Sequence, residues 1–242
     1  MINPSKQDLI PQITIDCVIF GYESRQLKVL IPKLDFNGDF WALPSGFVQQ
    51  NDDIDIAAQK ILQFRTGIEN LYLEQFRVFG KVARNHAAFL DRLIELNSDR
   101  LSLGESSKED YDWFTKRFIA IGYYALVDIG KVQPQKSSID QTIEWHPVQE
   151  LPTMILDHQE IVELALKTLR RDLDVKLNAF NLLPDTFTMK EVQEVYETIS
   201  GEEFWRTNFQ KKILDLDVLE RLEKKFTGAA NKAPYLYRFK YR

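Results

Sequence analysis

One stretch constrains this 242-residue chain more than any other: residues 40–71, FWALPSGFVQQNDDIDIAAQKILQFRTGIENL. A turn carrying Pro44 and Gly46 leads into a segment whose apolar residues recur at helical spacing: Ile54, Ala57, Ala58, Ile61 and Leu62. That period predicts a helix with one buried face. Asn51 and Asp52 are placed to cap its start, and Gly67 to end it. Residues 13–20 (ITIDCVIF) and 27–32 (LKVLIP) read as strands flanking a turn near Gly21 to Arg25, with further strands at 76–82, 117–127 and 141–146. Residues 84–114 follow helical periodicity only in part (Phe89, Leu93, Leu96) and read as an insertion holding a helix and a mobile loop.

Composition narrows the class. A hydrophobic content of 44% is ample for a core. The one cysteine, Cys17, excludes a disulfide framework and points to a reducing cytoplasm. No apolar run approaches the roughly 18 residues of a membrane span, so no membrane partner is expected. Three histidines and no clustered Cys or Asp indicate neither a metal site nor a cofactor. The net charge of −5 argues against a nucleic-acid partner, but its distribution argues the other way. Residues 206–242 carry ten Lys/Arg against four Asp/Glu, or +6, which leaves −11 for the remainder. A basic tail module on an acidic body explains this asymmetry, as does chance clustering on a solvated face.

The strand–loop–helix of residues 40–71 resembles a Nudix box: Gly, five residues, Glu, seven residues, then Arg-Glu-aliphatic-x-Glu-Glu-x-Gly-aliphatic. Gly46, Leu62, Gly67 and Ile68 fall in register, and Asp52 stands at the first Glu. The catalytic half departs from the pattern: Lys60-Ile61 replaces Arg-Glu and Phe64-Arg65 replaces Glu-Glu. Those glutamates hold divalent metal against a pyrophosphate, because hard cations need clustered carboxylate oxygens. The scaffold is retained and the metal chemistry is expected to be lost.

Further along, Trp145, Pro147, Val148, Leu151, Pro152, Asp157, His158, Ile161, Leu169 and Arg170 match the junction of Nudix-related transcriptional regulators. Asp157 can cap a helix buried through Ile161, Leu164, Ala165, Leu169 and Leu173, with His158 a hydrogen-bonding residue or a ligand contact in its first turn. Thr188 to Glu191 reads as a capping box opening a helix with Val192, Val195, Tyr196 and Ile199 on one face, ended by Gly201. Trp205, Phe209 and Ile213 then mark the buried stripe of a second helix, whose outward row reads a major groove in a helix-turn-helix. A strand at 219–226 and the alternation of Tyr235, Tyr237 and Phe239 complete a two-stranded wing. The segments Asn208-Phe209, Lys211-Lys212, Pro234 and Leu236-Tyr237-Arg238-Phe239 also resemble this family's ending.

The resemblance implies an α/β fold: a Nudix-like α/β/α sandwich with a mixed sheet over residues 1–155, with the insertion at about 84–114, then a winged helix-turn-helix over 156–242 including a linker helix. It implies a non-enzymatic, dimeric, NrtR-like regulator that binds double-stranded operator DNA and senses a small molecule. The chain is most similar to the Bacteroidetes arabinose-responsive branch, so L-arabinose is the first expected effector and ADP-ribose the second. Asp16, a lone acid in an apolar strand, Lys33 and Trp41 are the expected effector contacts, each also explicable as structural. Arg206, Asn208, Gln210, Lys211 and Lys212, with Lys232 and Arg238 from the wing, are the expected DNA contacts. Two other classes stay open: a hydrolase with ligands displaced to Asp52, Asp53 and Asp55, and an RNA-binding or scaffold protein with a basic tail.

Overall fold

A computed structural model describes residues 6–82, 84, 86–99, 106–176, 178–225 and 233–240. Its first layer is a six-stranded mixed sheet ordered β4-β5-β1-β2-β6, with β3 also paired to β1. The strands are β1 (Leu9–Glu23), β2 (Gln26–Leu34), β3 (Ser45–Gln49), β4 (Glu74–Phe79), β5 (Ile119–Asp128) and β6 (Asp140–Pro147). β1 and β5 run parallel and the other pairs antiparallel. β1 passes through Gly21, where a turn is expected, and reverses at Ser24 and Arg25. Both residues have positive φ (51° and 62°), as a two-residue hairpin turn that matches strand twist requires.

The period of two along β1 builds the sandwich. Ile15, Cys17 and Ile19 point to one face and pack with Ala57, Ala58, Ile61 and Leu62 of helix α1 (Ile54–Thr66). Val18 and Phe20 point to the other and pack with Ile161, Val162, Ala165 and Leu169 of helix α4 (His158–Lys176). The α1 period is as the sequence implies, and Gly67 ends the helix at φ 69°. The start differs: Asp53 holds the N-cap position without a side-chain cap bond, while Asp52 pairs with Lys60 at 2.6 Å. Gly46 also differs, lying in strand β3 rather than in a turn. A Cβ there would sit 2.8 Å from Cγ1 of Ile61, so glycine lets α1 approach the sheet.

The insertion carries two helices, α2 (Ala87–Leu96) and α3 (Ser106–Phe114). From 106 onward the insertion is helical where a mobile loop is expected, and residues 100–105 lie outside the described residues. α2 is pinned by a Phe89–Phe40 ring contact at 5.7 Å and by Asn97, which exchanges hydrogen bonds with the Asn37 backbone. α3 lays Trp113 against Phe47 and Phe118.

The C-terminal unit holds β7 (Phe187–Thr188), α5 (Met189–Ser200), α6 (Arg206–Asp215), β8 (Leu219–Lys224) and β9 (Tyr235–Phe239), with a sheet ordered β7-β9-β8. The capping box at Thr188 and Glu191 is formed in both directions, and Gly201 closes α5 at φ 78°. Val192, Val195, Tyr196 and Ile199 meet Phe209, Ile213, Leu219 and Tyr237 in the core. Two helices and a three-stranded wing make this a winged helix. The expected stripe of α6 is right at Phe209 and Ile213 but not at Trp205, which is 84% exposed at the N-cap.

One apolar cluster runs from the sheet through α4 into α5 and α6. The helix expected as a linker is therefore the second outer layer of the sandwich as well. Arg170 on α4 donates from Nε to the carbonyl of Ile199, at 2.7 Å, near the end of α5. The β1–β2 hairpin clasps α5 from the far side: Arg25 pairs with Glu194 at 3.3 Å and Tyr22 bonds Thr198. Lys131 adds an ion pair to Asp185.

Candidate functional site

The interior of the box holds an ion pair where the resemblance places metal-binding carboxylates. Arg65, 4% exposed at its side chain, turns inward to Asp140, which is fully buried. Nη2 donates to Oδ1 at 2.7 Å, Nε to Oδ2 at 3.3 Å and Nη1 to the Ser45 carbonyl at 3.0 Å. Ser137 donates its hydroxyl to Asp140 as well. The guanidinium is thereby spent on β3 and β6. Phe64 turns outward, 40% exposed. Of the acids that could stand in for those ligands, Asp52 pairs with Lys60 and Asp55 accepts from the Tyr123 hydroxyl at 2.6 Å, while Asp53 is exposed at the N-cap. Among the described residues no three His, Cys, Asp or Glu side chains gather in a way that could hold a metal.

The three expected effector contacts share the α4 face of the sheet but do not meet. Segment 41–45 wedges between the ends of β1 and β2, bridging Lys33 through Trp41 and pairing with Asp16 through Ser45. Four residues of extended chain, about 13 Å, separate the two ends. Asp16 is sealed at 2% exposure and accepts from Arg84 Nη2 at 3.3 Å. Arg84 also donates from Nε to Asp157 at 2.8 Å, joining β1 to the start of α4. Asp16 is thus a structural acid here, not a group open to a ligand hydroxyl. Next to it His158 is buried, its Nδ1 accepting from the Leu43 N–H at 2.9 Å, which fixes the neutral ring. Burial holds its pKa below the usual value. His86 stacks on Phe118 at 4.8 Å, and burial, with the Arg84 charge, lowers its pKa to about 4. Burial would raise the Asp157 carboxyl, but the Arg84 bond and charge outweigh it and hold the pKa below the ordinary value.

Lys33 and Trp41 do come together. The ammonium lies 5.6 Å from the indole centroid and pairs with Asp39 at 2.8 Å. His146 abuts the same ring at 4.9 Å, edge to face. Thr142, opposite Lys33 in the β2–β6 ladder, and His146 each bury a polar atom, Oγ1 and Nε2, without a hydrogen-bond partner, with Glu144 Oε2 3.8 Å from that Nε2. Buried polar atoms are normally satisfied, so this corner has unused hydrogen-bonding capacity beside an aromatic wall. His146 and Thr142 escaped the sequence reading because β6 alternates without marking them out.

On α6, Arg206, Asn208, Lys211 and Lys212 are exposed and Gln210 is half-buried, so the expected outward row is outward. Arg238 on β9 is exposed and paired with Glu220 at 2.7 Å; Lys232 lies outside the described residues. Sequence reasoning missed a second basic group on the wing. Arg221 and Lys224 sit over the Tyr235 ring, 4.6 Å and 5.5 Å from its centroid.

Comparison with known proteins assigns the C-terminal unit. Residues 179–239 match the family of the NrtR DNA-binding winged helix domain. This unit is a winged helix similar to that of NrtR. The whole chain is 26% identical over 236 residues to the ADPR responsive transcriptional repressor NtrR of Acinetobacter baylyi, covering 95% of this chain and 82% of that protein. Its fold is similar to that of Shewanella oneidensis NrtR crystallised with a 27mer DNA, with a TM-score of 0.68, 22% identity, and 95% and 94% of the two chains covered. A MutT/nudix family protein from Enterococcus faecalis aligns with a TM-score of 0.69 at 19% identity, over 96% and 87%. A Nudix-like sandwich followed by a winged helix is thus the architecture of the chain.

Proposed function

We propose that this chain is a DNA-binding transcriptional repressor whose Nudix-like domain senses a small molecule and has no hydrolase activity. The observation that carries the reading is the buried Arg65–Asp140 pair in the box, in a domain sharing one core with an NrtR-type winged helix. A cation inside that site would meet a guanidinium instead of a carboxylate cluster. Repressors of this kind act as dimers on two half-sites about one helical turn apart, and the chain is proposed to do the same.

Two effectors are proposed. ADP-ribose now comes first, supported by the ADPR responsiveness named for the Acinetobacter baylyi relative. L-arabinose comes second, supported by the Lys33–Trp41–His146 corner, where an indole wall and the Thr142 hydroxyl, which has no hydrogen-bond partner, suit a sugar ring. Both carry a pentose, so this corner is the proposed sugar contact in either case. The test has two parts. Fluorescence anisotropy of full-length protein with a random duplex pool, followed by selection, yields a bound sequence or none. Thermal shift with ADP-ribose, NAD and L-arabinose then reports which ligand binds the folded state, since ligand at 100 times its Kd stabilises by about 2.7 kcal/mol. No enriched duplex removes the repressor reading, and no shift with any of the three removes the proposed effectors.

A further inference from the structure

We propose that Trp205 is a specificity-determining residue of the DNA-reading helix, packing its indole against thymine 5-methyl groups in the major groove. The inference rests on the DNA-binding reading above. Trp205 is 84% exposed, whereas Trp41, Trp113 and Trp145 are half-buried. It occupies the N-cap of α6, where the backbone is still extended (φ −62°, ψ 117°), and this turns its side chain off the stripe that Phe209 and Ile213 bury.

The ring is carried on a fixed mount. Gln193 donates from Nε2 to the Phe204 carbonyl at 2.8 Å, and the Phe204 N–H donates to Oε1 of Glu197 at 3.0 Å. The Gly201 N–H closes α5 onto the Glu197 carbonyl at 2.9 Å. On the other side the Phe209 N–H donates to the Trp205 carbonyl at 2.9 Å. A large apolar ring on an ordered turn loses little freedom when it is covered, which is what favours aromatic residues as contact anchors.

The occupant follows from the surroundings. Arg206, Lys211 and Lys212 on the same helix make a polyanion the partner of this surface. Residues at the start of a recognition helix reach base edges rather than the outer backbone. The apolar group on those edges is the thymine methyl. Glu202 and Glu203, both exposed in the turn just before the ring, disfavour a phosphate beside it and leave the groove floor as its contact.

The probe is a duplex selected from a random pool by the full-length protein, compared with the same duplex carrying deoxyuridine for every thymine. Wild type is expected to lose about fourfold in affinity for each methyl the ring covers. Trp205→Ala should bind more weakly and be indifferent to the swap, with Trp205→Phe keeping part of the sensitivity. Duplex should also quench tryptophan fluorescence in wild type and not in Trp205→Ala. Wild-type affinity and an unchanged uracil penalty in Trp205→Ala would overturn the inference while leaving DNA binding intact. Weaker binding with equal uracil penalties would move the ring to the sugar backbone and overturn the thymine assignment. A loss that tracks dissociation of a dimer in sedimentation would assign the ring to a subunit contact and overturn it too. If wild type binds no duplex at all, the DNA reading and this inference fall together.

Discussion

Replacing Arg65 with glutamate returns to the box one of the carboxylates its pattern calls for, and the geometry sets what should follow. The native guanidinium makes two bonds to a fully buried Asp140 and one to the Ser45 carbonyl. Removing one partner of a buried pair typically costs about 3–5 kcal/mol, because the remaining charge is stranded away from water. Glutamate does more: it sets a second anion against the first. The loss should reach the upper part of that range, a third or more of a stability of about 5–15 kcal/mol. Urea denaturation followed by circular dichroism reads the loss directly. Arg65→Met with Asp140→Leu, which removes both charges, should lie close to wild type or above it. Neither wild type nor Arg65→Glu should turn over ADP-ribose with magnesium or manganese. A wild-type urea midpoint in Arg65→Glu, or metal-dependent hydrolysis near 1 per second or faster, would show that the box is a recoverable metal site and refute the argument.

Three further outcomes follow from the same geometry. On α6, Lys212→Ala should weaken binding of the selected duplex and of unrelated duplexes alike and lower the salt slope by about one, whereas Arg206→Ala should cost about 1–3 kcal/mol and relax specificity locally; unchanged affinity in both variants would remove the helix from the interface. His86, with its pKa near 4, and the buried His158, also depressed, stay neutral in the fold while the unfolded chain takes up protons below about pH 6.5, so stability should be full above that pH and fall as acid is added toward pH 5; Asp157, held low by Arg84, loses its contribution only at lower pH. Urea midpoints between pH 8 and pH 5 check this, and a midpoint that rises on acidification contradicts it. Operator and effector should each weaken the other's binding by one common factor, in the range of about 5–150-fold, and the Tyr22→Phe, Arg25→Ala double variant, which loosens the clasp on α5, should shrink it; calorimetric titrations of ADP-ribose giving equal affinities with and without operator would end the sensor reading.

How much of this was legible in the chain depends on whether a residue's partner is near in sequence. Local periodicity is enough for α1 and α5, because the spacing of Ile54 to Leu62 and of Val192 to Ile199 declares a buried face wherever that face docks. The Thr188–Glu191 box and the glycines at 67 and 201 are legible for the same reason: cap chemistry closes within one turn. Strand β3 was not, since SGFVQ is short and three of its five residues are small or polar, and its strand character comes from pairing with β1 about thirty residues earlier. Trp205 shows the limit from the other direction. Its spacing matches the stripe, but the period holds only for residues already inside the helix, and a cap residue points elsewhere.

The candidate site was less legible than the fold, and for a reason that bears on function. Arg65 could be recognised as a departure from the box, but not as the partner of Asp140, 75 positions on. Asp16 likewise showed only that a buried acid needs a partner; that the partner is Arg84, and that Arg84 also holds Asp157, depends on how the insertion folds back over the sheet. These two arginines do different work. Arg65 neutralises the buried Asp140 inside the box. Arg84 ties the centre of the sheet to the first residues of α4, whose last turns cap and pack α5. The proposed effector corner at Lys33 and Trp41 lies on the α4 face of the sheet, and α4 shares one packed core with α5 and α6. If the proposed effector shifts α4, α5 and α6 are expected to move with it, because one packed core cannot deform at one end alone.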